Sequence, residues 1–211
     1  MRQHVNPLSH IFKDIDPIPP LEEIFNDSLK PLHLDIGCAS GDFLLDLAIE
    51  NKNWNYIGLE IREKLINNAK VKLYKESINN LFFAFGNADY MIEDCIGKFP
   101  KNSIKSVSFN FPDPWFKKRH HKRRVVQPEL INKVSRLMPA GGFITIKSDV
   151  LELFQYMDFT ILKSKKYTKH FYSIDELRNS YNPNNLKTNR ENYVLKKQFK
   201  IFEAIYKKIS Y

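Results

Sequence analysis

The sequence predicts an α/β fold, a doubly wound, mostly parallel seven-stranded sheet. Short apolar runs of strand length alternate with longer segments of helical spacing, and most of these runs end in an acid, an amide or a glycine. Strands that alternate with helices pair in parallel, because each crossover returns the chain to the same end of the sheet.

Residues 1–31 are rich in proline and polar residues and read as an N-terminal arm; 32–211 form the single domain. PLHLDIG holds the first strand at 32–36, followed by a helix from about Gly41 with Phe43, Leu44, Leu47 and Ala48 on one face. NYIGLE (55–60) is the second strand, and residues 62–76 place Leu65, Ala69 and Leu73 at helical intervals. NLFFAF (80–85) is the third strand, with a short helix near 89–96, and SVSFNF (106–111) is the fourth. Pro128 opens a helix whose stripe is Leu130, Ile131, Val134, Leu137 and Met138, since proline is tolerated at the first helical position. GFITIKSD (142–149) is the fifth strand. Beyond it the pattern loosens into a helix at 150–157, a strand near 159–163, a helix from Asp175 and a closing strand at 199–208.

The 211 residues are 43% hydrophobic, enough for a core, and their charged and aromatic content argues against disorder. Lys and Arg outnumber Asp and Glu by 33 to 24, and the pI near 9.4 favours a polyanionic partner, nucleic acid or an anionic membrane surface. Two cysteines without CxxC spacing, Cys38 and Cys95, suit a reducing compartment, and the adjacent His120 and His121 lack partners for a metal. No apolar run approaches the roughly 20 residues of a membrane span, and the N-terminus lacks a signal-peptide core. A cytoplasmic protein with no metal and no membrane is expected.

In a parallel α/β sheet, ligands sit outside the carboxyl ends of the strands. Here those ends carry Asp35 with Gly37, then Glu60, then Asn87 with Ala88, then Asp113, and finally Asp149. Acids and amides also favour turns, but five in register point to a ligand cleft. The first turn, LDIGCASGDF, has glycines at 37 and 41, a spacing that is not the G-x-G-x-x-G of a diphosphate cradle. Glu60, at the end of the second strand, stands where an acid commonly takes ribose hydroxyls. Ribose recognition without a diphosphate cradle suits S-adenosylmethionine best, with Asn87 at the adenine edge; a glycine-containing turn beside an incidental acid is the alternative.

NFPDPWFKKRHHKRR (110–124) fixes Asp113 between two prolines, which preset the direction of its carboxylate. Trp115 packs in the core or stacks beside a base, core packing being the favoured reading. Lys117, Lys118, Arg119, Lys122, Arg123 and Arg124 place six cations in eight positions. Such a run is either a solvated face or localisation signal, or a set of phosphate contacts; its place beside the cleft favours the second. Six contacts would give a log–log salt slope of roughly −4 to −5.

At these residues the chain resembles the tRNA (guanine-N7)-methyltransferase family. RQHVNPLS, LDIGCASG, GLEIRE, GNA, FPDPWFKKRHHKRR, KSD and TNRE occur in that family's order and span almost the whole chain. The resemblance implies a Rossmann-like class I methyltransferase fold and methyl transfer from S-adenosylmethionine to N7 of a guanine in the tRNA variable loop. It implies cofactor contacts at Asp35, Glu60, Asn87 and Asp113, with Asp113 also catalytic. It implies substrate contacts at Lys117, Asp149 and the segment Thr188, Asn189, Arg190 and Glu191. Three positions depart from the family pattern: Ala39 replaces a common glycine, Phe116 a frequent proline, and Arg190 an aromatic. Within the last segment, Thr188 and Glu191 therefore carry over most directly. The arm, with Arg2, His4 and Asn6, is expected to fold over the site, and the chain to act as a monomer or homodimer.

Two other readings remain at this point. One is a methyltransferase acting on another RNA or on DNA, although the N/D-P-P-Y/F motif of exocyclic-amine enzymes is absent. The other is a non-catalytic RNA-binding module on the same scaffold, which would be expected to have lost Glu60 and Asp113. The glycine spacing disfavours an oxidoreductase, and the basic run lacks the apolar face that membrane-surface binding requires.

Overall fold

In the computed structural model, residues 5–9, 12, 17–170 and 174–209 are described, with backbone alone at 174–177. A short helix, α1 (Leu21–Ile24), leads into β1 (Leu32–Ile36), which is buried along its length. The chain then winds outward through α2 (Asp42–Glu50), β2 (Asn55–Glu60), α3 (Glu63–Glu76) and β3 (Leu81–Phe85). Through α4 (Ala88–Cys95) it crosses back to β4 (Ile104–Asn110), on the other side of β1. It continues through α5 (Pro128–Leu137), β5 (Phe143–Ser148), α6 (Leu151–Lys163), β6 (Tyr167–His170), α7 (Ile174–Tyr181), α8 (Asn189–Lys196) and β7 (Phe202–Lys208).

The strand order is β3-β2-β1-β4-β5-β7-β6. The ladders β1–β2, β1–β4, β2–β3 and β4–β5 are parallel, whereas β5–β7 and β6–β7 are antiparallel. The sheet is therefore mixed, which corrects the expectation of a mostly parallel one. β7 enters between β5 and β6 in the reverse direction, a topology that the spacing of apolar runs does not encode. The winding changes direction between β1 and β4, and an open α/β sheet presents its crevice at such a switch point.

Two apolar clusters cover the sheet. One joins Leu34, Ile36 and Val107 to Met91, Leu130, Ile131 and Met157 from α4, α5 and α6. The other joins Tyr56 and Phe83 to Leu44, Leu47, Ile66 and Ala69 from α2 and α3. α5 forms as its sequence dictates, with proline at its start and Leu130, Ile131, Val134 and Leu137 buried on one face. No helix among the described residues is long and apolar enough to cross a membrane.

Three features differ from the sequence expectation. Residues 159–163 are the end of α6, not a strand; Thr160 and Ile161 continue the buried stripe begun by Leu153 and Met157, and Phe159 is exposed. The β-branched and aromatic content of FTIL imitates a strand where the helical period of burial decides. The strand lies further on, at β6. Part of the expected arm is core, because Ile18, Leu21 and Phe25 pack in the first cluster. The amide of Ile18 donates to Asp94 Oδ2 at 2.9 Å, and Asp94 is paired with Lys98 at 2.7 Å.

Gly41 has a φ of 73°, and a Cβ there would lie 2.4 Å from the Phe83 ring. Gly37 has a φ of 89° but open space where its Cβ would stand. Gly41→Ala is expected to destabilise the fold by about 2–4 kcal/mol through combined overpacking and backbone strain. Gly37→Ala should cost only the backbone share, about 1–2 kcal/mol. Urea unfolding of both variants checks the ordering.

Candidate active site

A cavity of about 440 Å³ opens at the carboxyl ends of β1 to β4. Gly37, Glu60, Asn87, Ala88 and Asp113 all line it, so the glycine after the first strand meets the acids and amide of the next three strand ends in one place. Ile36, Leu59, Ile61 and Leu130 supply apolar wall. Val5, Pro7 and Leu8 close one side, and the Asn87 amide donates to the Pro7 carbonyl at 2.8 Å. Asn87 also caps α4, its Oδ1 accepting from the Asp89 amide at 2.9 Å. The N-terminal segment thus reaches the site, though through Val5, Pro7 and Leu8; Arg2 and His4 lie outside the described residues.

Asp35 is buried below the cavity rather than lining it. Its Oδ1 accepts from Ser108 Oγ at 2.5 Å and from Asn110 Nδ2 at 3.1 Å. Because Ser108 gives its proton to Asp35, it can only accept from His33 Nε2, 3.1 Å away. His33 Nδ1 then accepts from Ser106 Oγ at 2.6 Å. Burial lowers the His33 pKa to about 3, consistent with the neutral ring this chain of donors requires. Burial raises the Asp35 pKa to about 6, against the lowering effect of its two donors.

Glu60 is held by four donors. Its Oε1 accepts from the backbone and Nε of Arg62 at 3.0 and 2.9 Å, and its Oε2 from Arg62 Nη2 and the Ala39 amide, both at 3.0 Å. Arg62 lines the cavity, and the sequence reading did not single it out. Its signal was present as an arginine two positions after the strand-end acid. Pairing with Glu60 raises the Arg62 pKa, and the charge of Asp113 adds to it.

The loop bearing Asp113 is strained at both ends, with φ of 50° at Phe111 and 46° at Trp115. The Phe111 amide donates to the Lys147 carbonyl at 2.8 Å, and Arg124 Nε donates to the Pro114 carbonyl at 2.9 Å. Trp115 lines the cavity instead of packing in the core, with the Arg123 guanidinium 5.1 Å over its ring and His120 edge-on at 5.8 Å.

The basic run divides in two. Lys117, Lys118, Arg119 and Lys122 are exposed, the last three on a short 3-10 helix at Lys118–Arg123. Arg124 is 4% exposed, pairs with Glu152 at 2.8 Å and lies 4.8 Å over the Tyr156 ring. Its charge is used inside the protein, which corrects its reading as a phosphate contact.

The TNRE segment and Asp149 are brought together, but beside the cavity and not in its wall. Thr188 caps α8, its Oγ1 accepting from the Glu191 amide at 3.0 Å. Glu191 is buried and receives both bonds of Lys147 Nζ, at 2.9 and 2.8 Å. Arg190 pairs with Asp149 and covers the Tyr193 ring at 5.1 Å, while Asn189 donates to Asp42 at 3.0 Å. Gly41, whose missing Cβ faces Phe83 and Ala69, is likewise outside the wall.

Residues 29–204 match the family model described as "Putative methyltransferase". A tRNA (guanine-N(7)-)-methyltransferase of Prochlorococcus marinus subsp. pastoris is 56% identical over 209 residues, spanning 99% of this chain and 100% of that one. The chain belongs to the tRNA (guanine-N7)-methyltransferase family. A member from Synechococcus elongatus is 41% identical over 98% of this chain and 95% of its own. Among solved structures, a phosphoethanolamine N-methyltransferase from Haemonchus contortus, in complex with S-adenosyl-L-methionine, superposes with a TM-score of 0.54. It is 14% identical over 90% of this chain and 51% of that chain, a likeness of fold. Ala39 takes a φ of 52°, so the alanine adopts a glycine-like backbone at a steric cost of about 1–2 kcal/mol.

A carboxyl with a raised folded-state pKa holds its proton to higher pH in the native protein than in the unfolded chain. The stability it contributes is full below the ordinary value of 3.8 and is lost as pH rises to about 6. That loss amounts to about 3 kcal/mol. Asp35→Asn keeps the acceptor for Ser108 and Asn110 and does not titrate. Relative to this variant, the wild type is expected to lose about 2 kcal/mol of that between pH 4 and pH 6.5; parallel denaturant titrations across that range check it.

Proposed function

We propose that this chain methylates N7 of a guanine in tRNA with S-adenosylmethionine as donor, and that Asp113 aligns the base. The observation that carries this reading is the convergence of Gly37, Glu60, Asn87 and Asp113 on one cavity bordered by Lys122 and Arg123. A cavity near 440 Å³ lies within the range of small-molecule sites. Its residues fit the cofactor: open space at Gly37, a carboxylate at Glu60 for ribose hydroxyls, an amide at Asn87 and apolar walls for a purine. The cofactor supplies a methyl group activated on a sulfonium.

Guanine N7 carries a free lone pair and no proton, so no side chain has to deprotonate the nucleophile. What the protein must supply is alignment for in-line transfer and a field that tolerates positive charge arriving on the purine. Asp113 suits both needs. The prolines and the Arg124 bond to Pro114 fix its direction, and its carboxylate can accept from guanine N1–H and N2–H. Its negative charge then faces the developing cation. Arg62, held by Glu60, limits how much negative charge accumulates beside it. A guanine stacked within tRNA has to swing outward to reach the cavity, as bases do in other base-modifying enzymes.

The exposed cations are suited to phosphates, and four such contacts give a log–log salt slope of about −3. Roles for Asp149, Asn189 and Arg190 in holding the tRNA rest on their place beside the cavity. Thr188 and Glu191 support that patch as helix cap and ion-pair partner.

Asp113→Ala is expected to lower kcat at least about 100-fold, the scale of a lost transition-state contact. Its affinity for S-adenosylmethionine should fall less than that of Glu60→Ala. Methylation assays with tRNA and calorimetric titration of the cofactor measure the two effects, and equal turnover by Asp113→Ala and wild type removes Asp113 from the mechanism.

Alanine at Lys117, Lys118, Arg119 and Lys122 together should flatten the salt dependence of tRNA binding by about 3 in slope. Cofactor affinity should change far less, Lys122 being the one of the four that lines the cavity. Arg124→Ala should leave the slope near its wild-type value and instead cost about 1–3 kcal/mol of stability, because it strips the buried Pro114 carbonyl of its partner. Filter binding across salt concentrations and thermal unfolding separate the two classes.

A further inference from the structure

We propose that Phe116 is a nucleobase-stacking platform at the mouth of the cavity, taking the flat face of a tRNA base that neighbours the target guanine. This rests on the tRNA reading above and adds to it a second base-binding position. Phe116 is 67% exposed although its chain neighbour Trp115 lines the cavity. The loop that presents it is held rigidly by Pro112, Pro114, the left-handed backbone at Trp115 and the Arg124 bond to Pro114. An apolar ring fixed in water gains by being covered. Directly after it stand the exposed cations Lys117, Lys118 and Arg119, so whatever covers the ring also meets positive charge. A nucleotide answers both, with a π face for the ring and a phosphate for the cations. The other rings that are more than half exposed do not share this setting: neither Tyr74 on α3, nor Phe159 on α6, nor Phe199, nor their chain neighbours line the cavity. Trp115 and Phe116 thereby divide the work, the indole facing the target's cavity and the phenyl ring facing the strand that enters it.

The test compares wild type with Phe116→Ala, Phe116→Leu and Phe116→Trp in binding an unmodified tRNA transcript. A second series of transcripts carries one abasic nucleotide at each position flanking the target guanine. Alanine and leucine are expected to weaken tRNA binding by about 5- to 100-fold, the range of one base–aromatic stack, and tryptophan to restore it. One abasic transcript should bind wild type as weakly as the intact transcript binds Phe116→Ala, and lose nothing further in that variant. The salt slope should stay unchanged in all variants, since no phosphate contact is removed. Leucine binding as well as phenylalanine, or all abasic penalties persisting in Phe116→Ala, overturns the proposal. Wild type that binds tRNA but places methyl elsewhere than guanine N7 defeats the functional reading instead, leaving the stacking result to stand or fall on the binding data.

Discussion

Arg124 carries a positive charge into the protein and uses it on the Pro114 carbonyl, on Glu152 and on the face of Tyr156. The reason lies in the loop it grips. Phe111 and Trp115 both adopt left-handed backbone, which side chains of their size rarely take and which costs about 1–3 kcal/mol apiece. Without an external tie, a segment with that strain would relax, and the carboxylate of Asp113 would turn with it. The prolines narrow the conformations open to the loop, and the arginine joins it to α6. The most basic stretch of the chain therefore contains both the groups free to meet an anion and the one that builds the wall beside them.

The floor follows a similar logic with neutral groups. β1 and β4 part company at the switch point, and the polar chain from Ser106 through His33 and Ser108 to Asp35 ties them just beneath the cavity. A charged histidine could not serve there, because both ring nitrogens would donate and Ser106 would be denied its acceptor. The ring is stacked on Tyr181 at 4.1 Å, which excludes water and keeps it neutral. The Tyr181 carbonyl in turn accepts from the hydroxyl of Tyr56 at 2.8 Å, so α7 is fastened to the same layer.

Much of this was legible in the sequence, and the limits are instructive. Strand ends were readable because burial of parallel strands forces continuous apolar runs, and a polar residue after such a run has only the rim to occupy. That logic found Glu60, Asn87 and Asp113. It could not tell a residue on the rim from one below it, so Asp35 was assigned to a ligand when it bonds to its neighbouring strand. It also counted cations without knowing which of them turn inward, and Arg124, which follows the short 3-10 helix as its C-cap, is buried. α8 went unread as a helix although TNRE has the capping pattern of a threonine three residues before a glutamate. There the side chain of Glu191 turns to Lys147 instead of back to the cap, because a buried lysine on β5 has a stronger claim on it.

That claim explains why the TNRE patch stands where it does. Lys147 is 7% exposed in the middle of a sheet, where an ammonium without a partner is costly to bury. Glu191 satisfies it with both oxygens and so fixes the start of α8 against β5, and the backbone carbonyl of the same lysine receives the Phe111 amide from the Asp113 loop. One residue thus sets the position of the loop on one side and of Arg190 and Asn189 on the other. Replacing the pair by apolar residues could preserve the fold, as buried ion pairs often allow. It would remove the charge that draws α8 inward, and with it the constraint that keeps the Asp149–Arg190 patch beside the cavity. This ion pair therefore serves to hold the polar residues of α8 in place more than to supply stability.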